Sequence, residues 1–283
     1  MTLIQYRNHF RELLAPLYSS QEIDDLFKRC IQHYFQWNSL KIGLEPQYEL
    51  TREEAQQLHD ALEQLTTATP LQYVLGEANF MGLNLVVNKG VLIPRPETEE
   101  LVEWVLANHE EKSLKCWDLC SGSGSIALGL KAQRDNWVIG GYELSEPALE
   151  VARNNAKRNS LDVSFYAQDI LQWKAEDEQV DLIVSNPPYV LPSEKAQMHA
   201  NVLKHEPGMA LFVPQEDPLL FYRRILWLAI TTLAPNGALY FEINPLLVKE
   251  MIALGKASGF AVATVKKDIF GKDRFIQFST HEG

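Results

Sequence analysis

From about residue 97 onward the chain alternates short apolar runs with helical patterns, and this alternation restricts its fold more than any other feature. A helix from Glu97 to about His109 precedes a strand at Lys115–Leu119, a glycine-rich turn and a helix from about Ser125. A strand at Val138–Glu143, a helix from Glu146 to about Asn159 and strands at Val163–Ala167 and Val180–Ser185 follow. Beyond a long loop come a helix at Leu219–Leu233, a strand at Ala238–Glu242, a helix ending at Ser258, and strands at Ala261–Lys266 and Arg274–Phe278. Strands separated by helices cross over and pair in parallel, with helices on both faces of the sheet. The connection from Lys267 to Asp273 is too short for a crossover, so the last two strands must pair antiparallel. The expected fold class is α/β: a mostly parallel sheet ending in an antiparallel hairpin.

The amino-terminal part has a different period. Ser19 or Ser20 caps a helix whose Ile23, Leu26, Phe27, Cys30, Ile31, Tyr34 and Phe35 share one face. Thr51 and Glu54 form a capping box ahead of Ala55, Leu58, Ala61, Leu62 and Leu65. Between Phe80 and Ile93 the pattern reads as two short strands, with turns at Gly82 and at Asn88-Lys89-Gly90. The expected organisation is a helical domain over residues 1–77, a β-hairpin linker over 78–94 and an α/β domain over 95–283.

Composition removes several function classes. A net charge of −11 disfavours broad adhesion to nucleic acid or anionic membrane. The three cysteines, Cys30, Cys116 and Cys120, make no CxxC and no paired framework, which fits a reducing cytoplasm. The seven histidines show no metal-ligand spacing, so no metal is expected. The amino terminus lacks the apolar run of a signal peptide, and a cytoplasmic location is expected.

Asp118-Leu119-Cys120-Ser121-Gly122-Ser123-Gly124-Ser125 lies at a strand-to-helix turn, where glycines let the backbone approach a ligand beside a helix amino terminus. Glu143 ends the next strand, at the spacing where a carboxylate accepts hydrogen bonds from ribose hydroxyls. Asp169 follows the third strand, where it can bound an adenine pocket. Asp118 suits the cationic amino end of a methionine-type cofactor. The loop also satisfies G-x-G-x-x-A through Gly122, Gly124 and Ala127, so a nicotinamide dehydrogenase stays open on the loop alone. The terminal hairpin and the segment after Ser185 weigh against that reading.

That segment is Asn186-Pro187-Pro188-Tyr189, directly after a buried-strand pattern. Two prolines remove two backbone donors and hold the chain extended. Carbonyl oxygens beside the Asn186 side-chain oxygen then offer paired acceptors to one planar NH2 group, such as a carboxamide or the exocyclic amine of adenine.

Loop, Glu143 and Asn186–Tyr189 together resemble a class I S-adenosylmethionine-dependent methyltransferase with a Rossmann-like sheet that modifies an amide or amine nitrogen. Thr69–Gly76, Val91–Glu99, Glu206-Pro207 with Ala210-Leu211, and Asp268–Arg274 narrow the resemblance to the HemK-type peptide chain release factor N5-glutamine methyltransferases. Arg95-Pro96-Glu97-Thr98-Glu99 favours the release-factor branch over the ribosomal-protein glutamine methyltransferases. The resemblance implies S-adenosyl-L-methionine as cofactor and, as substrate, the glutamine of the Gly-Gly-Gln motif in class I release factors. It implies cofactor contacts at Asp118, Cys120, Ser121, Gly122, Ser123, Gly124, Glu143, Asp169, Ile170 and Asn186. It assigns the substrate amide to Asn186, Pro187, Pro188 and Tyr189, with Asn186, Pro187 and Tyr189 catalytic. Cys120 departs from the family's usual glycine, and Glu143 from its frequent aspartate. The alternatives are a ribosomal-protein glutamine methyltransferase, an adenine-N6 nucleic-acid methyltransferase, and a binding module that has lost turnover. The amino-terminal helices are the expected docking surface for a protein substrate, and no stable nucleic-acid partner is expected.

Overall fold

The computed structural model describes residues 1–109, 113–175 and 179–280. Backbone proximity divides them into two compact units, one holding Met1–Glu77 with His199–His205, the other Ala78–Met198 with Glu206 onward.

The first unit holds α1 (Leu3–Leu14), α2 (Ser20–Phe35), α3 (Ser39–Leu44), α4 (Arg52–Thr66) and α5 (Leu71–Leu75). Apolar residues at helical spacing close its core: Tyr6, Phe10 and Leu14 of α1 meet Ile23, Phe27 and Ile31 of α2 and Leu58, Leu62 and Leu65 of α4. Phe10 and Phe27 meet edge-to-face at 5.1 Å between ring centres. Ser19 caps α2 with a reciprocal bond from Glu22, and Thr51 and Glu54 form the expected box on α4.

Next in the chain, β1 (Glu77–Phe80) and β2 (Leu83–Val86) form a hairpin. Its two-residue turn places Met81 and Gly82 at φ of 51° and 78°, the left-handed pair that matches strand twist. The expected pair of short strands is this hairpin around Gly82, and residues 91–93 form no strand. Val91 N–H closes a turn on the Asn88 carbonyl at 3.1 Å, and Ile93 N–H donates to the Glu206 carboxylate at 3.4 Å instead of to a ladder.

The remaining elements are α6 (Pro96–Asn108), β3 (Lys115–Leu119), α7 (Ser125–Gln133), β4 (Val138–Glu143), α8 (Glu146–Arg158), β5 (Ser164–Ala167), β6 (Val180–Ser185), α9 (Ala200–His205), α10 (Gly208–Leu211), α11 (Leu220–Thr232), β7 (Leu233–Glu242), α12 (Val248–Ala257), β8 (Val262–Lys267) and β9 (Asp273–Ser279). The α9 residues group with the first unit. Seven strands form one sheet in the order β5-β4-β3-β6-β7-β9-β8. The β3–β4, β4–β5, β3–β6 and β6–β7 pairs are parallel, and β9 runs antiparallel to both β7 and β8. This is the expected parallel sheet with an antiparallel end.

Helices cover both faces. Leu101 and Val105 of α6, Ile126 and Leu130 of α7, and Leu149 and Ala152 of α8 pack on one face. Tyr222, Ile225 and Leu228 of α11 and Met251 of α12 pack on the other against Trp117, Ile183, Leu239 and Phe241. The chain runs outward from β3 through β4 to β5, then returns to lay β6 on the opposite side of β3. That reversal opens a crevice at the carboxyl ends of β3 and β6, where open α/β sheets bind ligands.

Candidate active site

Two adjoining cavities lie at this crevice. The first is an open cleft of about 640 Å³ whose lining includes Cys120, Gly122, Glu143, Asp169, Ile170 and Pro188, along with Leu92 and Ala210. The second, about 320 Å³, is lined by Asn186, Pro187, Tyr189, Arg95 and Glu242 and shares Leu92 and Ala210 with the first. The consecutive prolines thus face different cavities, Pro188 the cleft and Pro187 its neighbour.

The cleft is shaped by main chain. Gly122 stands at φ 53° with open space where a Cβ would project, so the loop presents bare backbone. Gly124 stands at φ 81°, and a Cβ there would meet the Phe165 ring at 2.7 Å. Its N–H closes the turn on the Ser121 carbonyl at 2.8 Å. Cys120 occupies φ 62° as well, a left-handed conformation costly for a residue with a Cβ. Its side chain packs against the α11 side of the core, and burial raises its thiol pKa well above the ordinary value.

Glu143 is fixed by three backbone donors. Leu144 N–H and Ser145 N–H reach Oε1 at 2.8 and 2.9 Å, and Gly122 N–H reaches Oε2 at 2.9 Å. With about four acceptor sites on a carboxylate, Oε2 keeps one for a ligand hydroxyl. Asp169 accepts from Leu171 N–H at 2.9 Å and from the Gln172 amide at 2.8 Å.

Several residues assigned to the cofactor do not line the cleft. Asp118 lies fully buried beneath the loop, where its Oδ2 accepts from Ala127 N–H in the first turn of α7 at 3.1 Å. Burial, reinforced by the charge of Glu143, pushes its pKa up to about 8. Its Oδ1 and the Ser121 hydroxyl are buried and find no hydrogen-bond partner among the described residues. Ser123 is buried and its carbonyl accepts from the Asn155 amide at 3.0 Å. Asn186 lines the second cavity instead. Asn155 is a structural residue that sequence reasoning missed: from α8 its side chain exchanges hydrogen bonds with both backbone groups of Val86, joining hairpin and loop.

The second cavity is built from side chains. Asn186 Nδ2 donates to the Thr98 hydroxyl oxygen at 3.3 Å, which turns Oδ1 the opposite way. Thr98 in turn donates to Glu242 Oε2 at 2.7 Å, and the Tyr189 hydroxyl donates to Glu242 Oε1 at 2.9 Å. Burial raises the Glu242 pKa, opposed by those two donors and by the nearby Arg274 guanidinium. Arg274 also reaches Asp268 at 3.3 Å, tying the β8–β9 turn to this site. Arg95, also in the lining, holds the buried Glu206 at 2.6 Å. Asn244 Nδ2 donates to the Tyr189 carbonyl at 3.2 Å and to Glu194 at 2.8 Å. Glu194 also takes the Leu191 N–H, and the long loop after β6 carries a 3-10 turn over Pro192–Gln197.

Residues 5–76 match the PrmC N-terminal domain family and residues 97–208 the Methyltransferase small domain family. Over 281 residues the chain is 42% identical to a Release factor glutamine methyltransferase of Flavobacterium psychrophilum, covering 98% of this chain and 99% of that one. The chain belongs to the release factor glutamine methyltransferase family. A relative with the same description from Bacteroides thetaiotaomicron is 38% identical over 95% of this chain and 96% of its own length. One from Lactococcus lactis is 40% identical over 80% and 83%. Among solved structures, the hMettl16 catalytic domain shares the fold at a TM-score of 0.59, with 13% identity over 96% of this chain and 91% of its own. A Pyrococcus furiosus methyltransferase does so at 0.53, with 18% identity over 82% and 99%. Membership favours the glutamine reading over the dehydrogenase and adenine alternatives. Among the described residues no helix is long and apolar enough to cross a membrane.

Proposed function

We propose that this protein transfers the methyl group of S-adenosyl-L-methionine to the side-chain amide nitrogen, N5, of the glutamine in the GGQ motif of class I release factors. The observation that carries this reading, beside family membership, is the pair of adjoining cavities divided by Pro187 and Pro188. The cleft fits the cofactor chemically: bare backbone at Gly122, a carboxylate at Glu143 with an acceptor site to offer a ribose hydroxyl, and Asp169 with Ile170 for the adenine. When bound, the cofactor supplies an activated methyl on a sulfonium. Asp118 acts from beneath, holding the loop on the amino terminus of α7.

The protein's work is positioning. A carboxamide nitrogen is a weak nucleophile because its lone pair is delocalised into the carbonyl. Asn186 Oδ1 and the Pro187 carbonyl accept its two N–H bonds, which aims the nitrogen at the cleft and raises its electron density. These contacts strengthen as the nitrogen pyramidalises, so they stabilise the transition state beyond the ground state. Tyr189, held by Glu242, flanks the amide plane. No strong base is needed, because the methylated nitrogen becomes acidic and loses its proton readily. The amino-terminal helices dock the protein substrate; α3 leaves Leu40 and Leu44 about 70% exposed, which supports that role.

The test is peptide mass spectrometry of the Gly-Gly-Gln segment after incubation with cofactor and a release factor. A methyl on that glutamine is expected. In the Asn186→Ala variant kcat should fall by about 10²–10³ while cofactor affinity stays within about twofold. No methyl from wild-type protein that binds cofactor would overturn the substrate assignment. Equal losses in turnover and affinity would overturn the role of Asn186.

A further inference from the structure

Glu242 and Thr98 have no assigned contact with cofactor or substrate, yet both are almost fully buried, at 2% and 3% exposure; Thr98 meets Asn186, and Glu242 meets Thr98. They arrive from distant parts of the chain, Glu242 at the end of β7 and Thr98 in the first turn of α6. An ionised carboxylate only accepts hydrogen bonds. The single Thr98 proton is therefore committed to Glu242, at 2.7 Å, and only its oxygen lone pairs face Asn186. Asn186 must then bring its NH2 branch to Thr98, at 3.3 Å, and its Oδ1 is left to face the other way.

The direction matters because the two branches of an asparagine amide are nearly identical in shape and opposite in hydrogen bonding. Flipped, Asn186 would set its own NH2 against the NH2 of the substrate, donor against donor. We propose that Glu242 and Thr98 form a polarity relay that fixes the Asn186 amide with its oxygen toward the acceptor cavity, and so selects an NH2-bearing substrate. The proposal rests on the assignment of Asn186 Oδ1 to the substrate amide. Glu242 and Thr98 are positioning residues, since they act through Asn186. Tyr189 completes the arrangement by donating to the other carboxylate oxygen beside Arg274.

The relay makes a directional prediction that a merely structural network would not. In Asn186→Asp, one threonine proton faces two carboxylates. In Glu242→Gln, the Tyr189 hydroxyl takes the single amide oxygen, with Arg274 disfavouring an NH2 on that side. The introduced NH2 then donates to Thr98, whose freed proton turns toward Asn186 and favours the flipped amide. Joined in one chain, the two changes reverse the relay consistently. The amide introduced at position 242 donates to Thr98, Thr98 donates to the carboxylate introduced at position 186, and that carboxylate presents its other oxygen to the cavity.

The experiment measures kcat, KM for the release factor and cofactor Kd by calorimetry on the full chain and its variants. Thr98→Val should lower kcat by about 10- to 100-fold with cofactor Kd within about twofold, and Thr98→Ser should recover to within about threefold of wild type. The two single variants at 186 and 242 should each lose at least about 100-fold in kcat, and the double variant should exceed both by about tenfold or more. Losses that multiply in the double variant overturn the relay, as does a Thr98→Val protein with wild-type kcat. If Thr98→Val does not fold, the swapped pair decides. Wild-type protein that places no methyl on the release factor overturns the substrate reading and the relay with it. Wild-type methylation without the double-variant recovery overturns the relay alone.

Discussion

The two cavities at the sheet edge are made in different ways. The cofactor cleft is a backbone construction, with three left-handed residues in five, a carboxylate held by three N–H groups, and a glycine where a side chain would intrude. The acceptor cavity is a side-chain construction, with one buried carboxylate satisfied by donors from two other segments and balanced by an arginine from β9. Backbone shape tolerates variation in side chains that point away from the ligand. A polar relay fails when any one member changes hydrogen-bonding direction. Substitutions in the first region should therefore move stability and cofactor affinity, and those in the second should move turnover.

The largest effect in the cleft belongs to Gly124. An alanine there would hold a Cβ in the left-handed region and drive it into Phe165 and Ala152. Strain and overpacking together amount to roughly 2–5 kcal/mol. Gly122→Ala meets only the strain, about 1 kcal/mol, because its Cβ would stand in open space. That space is the cleft, so cofactor affinity should fall in Gly122→Ala far more than stability does. Urea unfolding with and without cofactor separates the two, and equal stability losses would break the assignment of Gly124 to packing and Gly122 to the ligand.

Asp118 sharpens the comparison through pH. Burial holds its folded-state pKa at about 8, against about 3.9 in an unfolded chain. Between those values the folded protein keeps a proton that the unfolded chain has released, so its stability contribution is full at low pH and is lost as pH rises through about 8. Asp118→Asn keeps a carbonyl for Ala127 N–H and removes the titration. Stability of the ligand-free variant should match wild type near pH 4 and exceed it near pH 8 by an amount on the order of a few kcal/mol. Parallel pH–stability curves for the two proteins would show that Asp118 is ionised in the fold.

The difference between the regions also explains what was legible in the sequence. Strands β3, β4 and β6 match the expected bounds because each is a short run rich in apolar residues and bounded by turn residues. The glycine loop and Glu143 were readable because backbone-made sites leave local spacing behind. Thr98 lies within a motif and Glu242 ends an expected strand, but neither drew a role from its neighbours in sequence. Their partnership joins positions 144 residues apart, and no local pattern encodes it. A signal was present in Glu242 itself: a carboxylate ending the strand Ala238–Glu242, whose other residues are all apolar, must find donors once buried. Residues 91–93 form no strand for the converse reason. Val91 and Ile93 are buried, but the backbone donor at Ile93 goes to Glu206, far away in sequence.

The smallest predicted effect tests how far loop shape alone governs the cleft. Cys120 carries a Cβ at φ 62°, so removing the side chain should help where it ordinarily harms. Cys120→Ala keeps the strain and loses the sulfur's packing, whereas Cys120→Gly loses the packing and the strain together. After the extra freedom of glycine in the unfolded chain is counted, the glycine variant should be more stable than the alanine variant by about 0.5–1 kcal/mol. Equal stabilities in urea would mean that the loop is not strained at this residue. Cofactor affinity gives the second axis. If the cleft is set by backbone shape, all three proteins should bind S-adenosyl-L-methionine within about twofold, because each presents the same main chain at 120–124. A drop shared by the alanine and glycine variants would instead assign the Cys120 sulfur a direct contact with the cofactor, and the cleft would have a side-chain component after all.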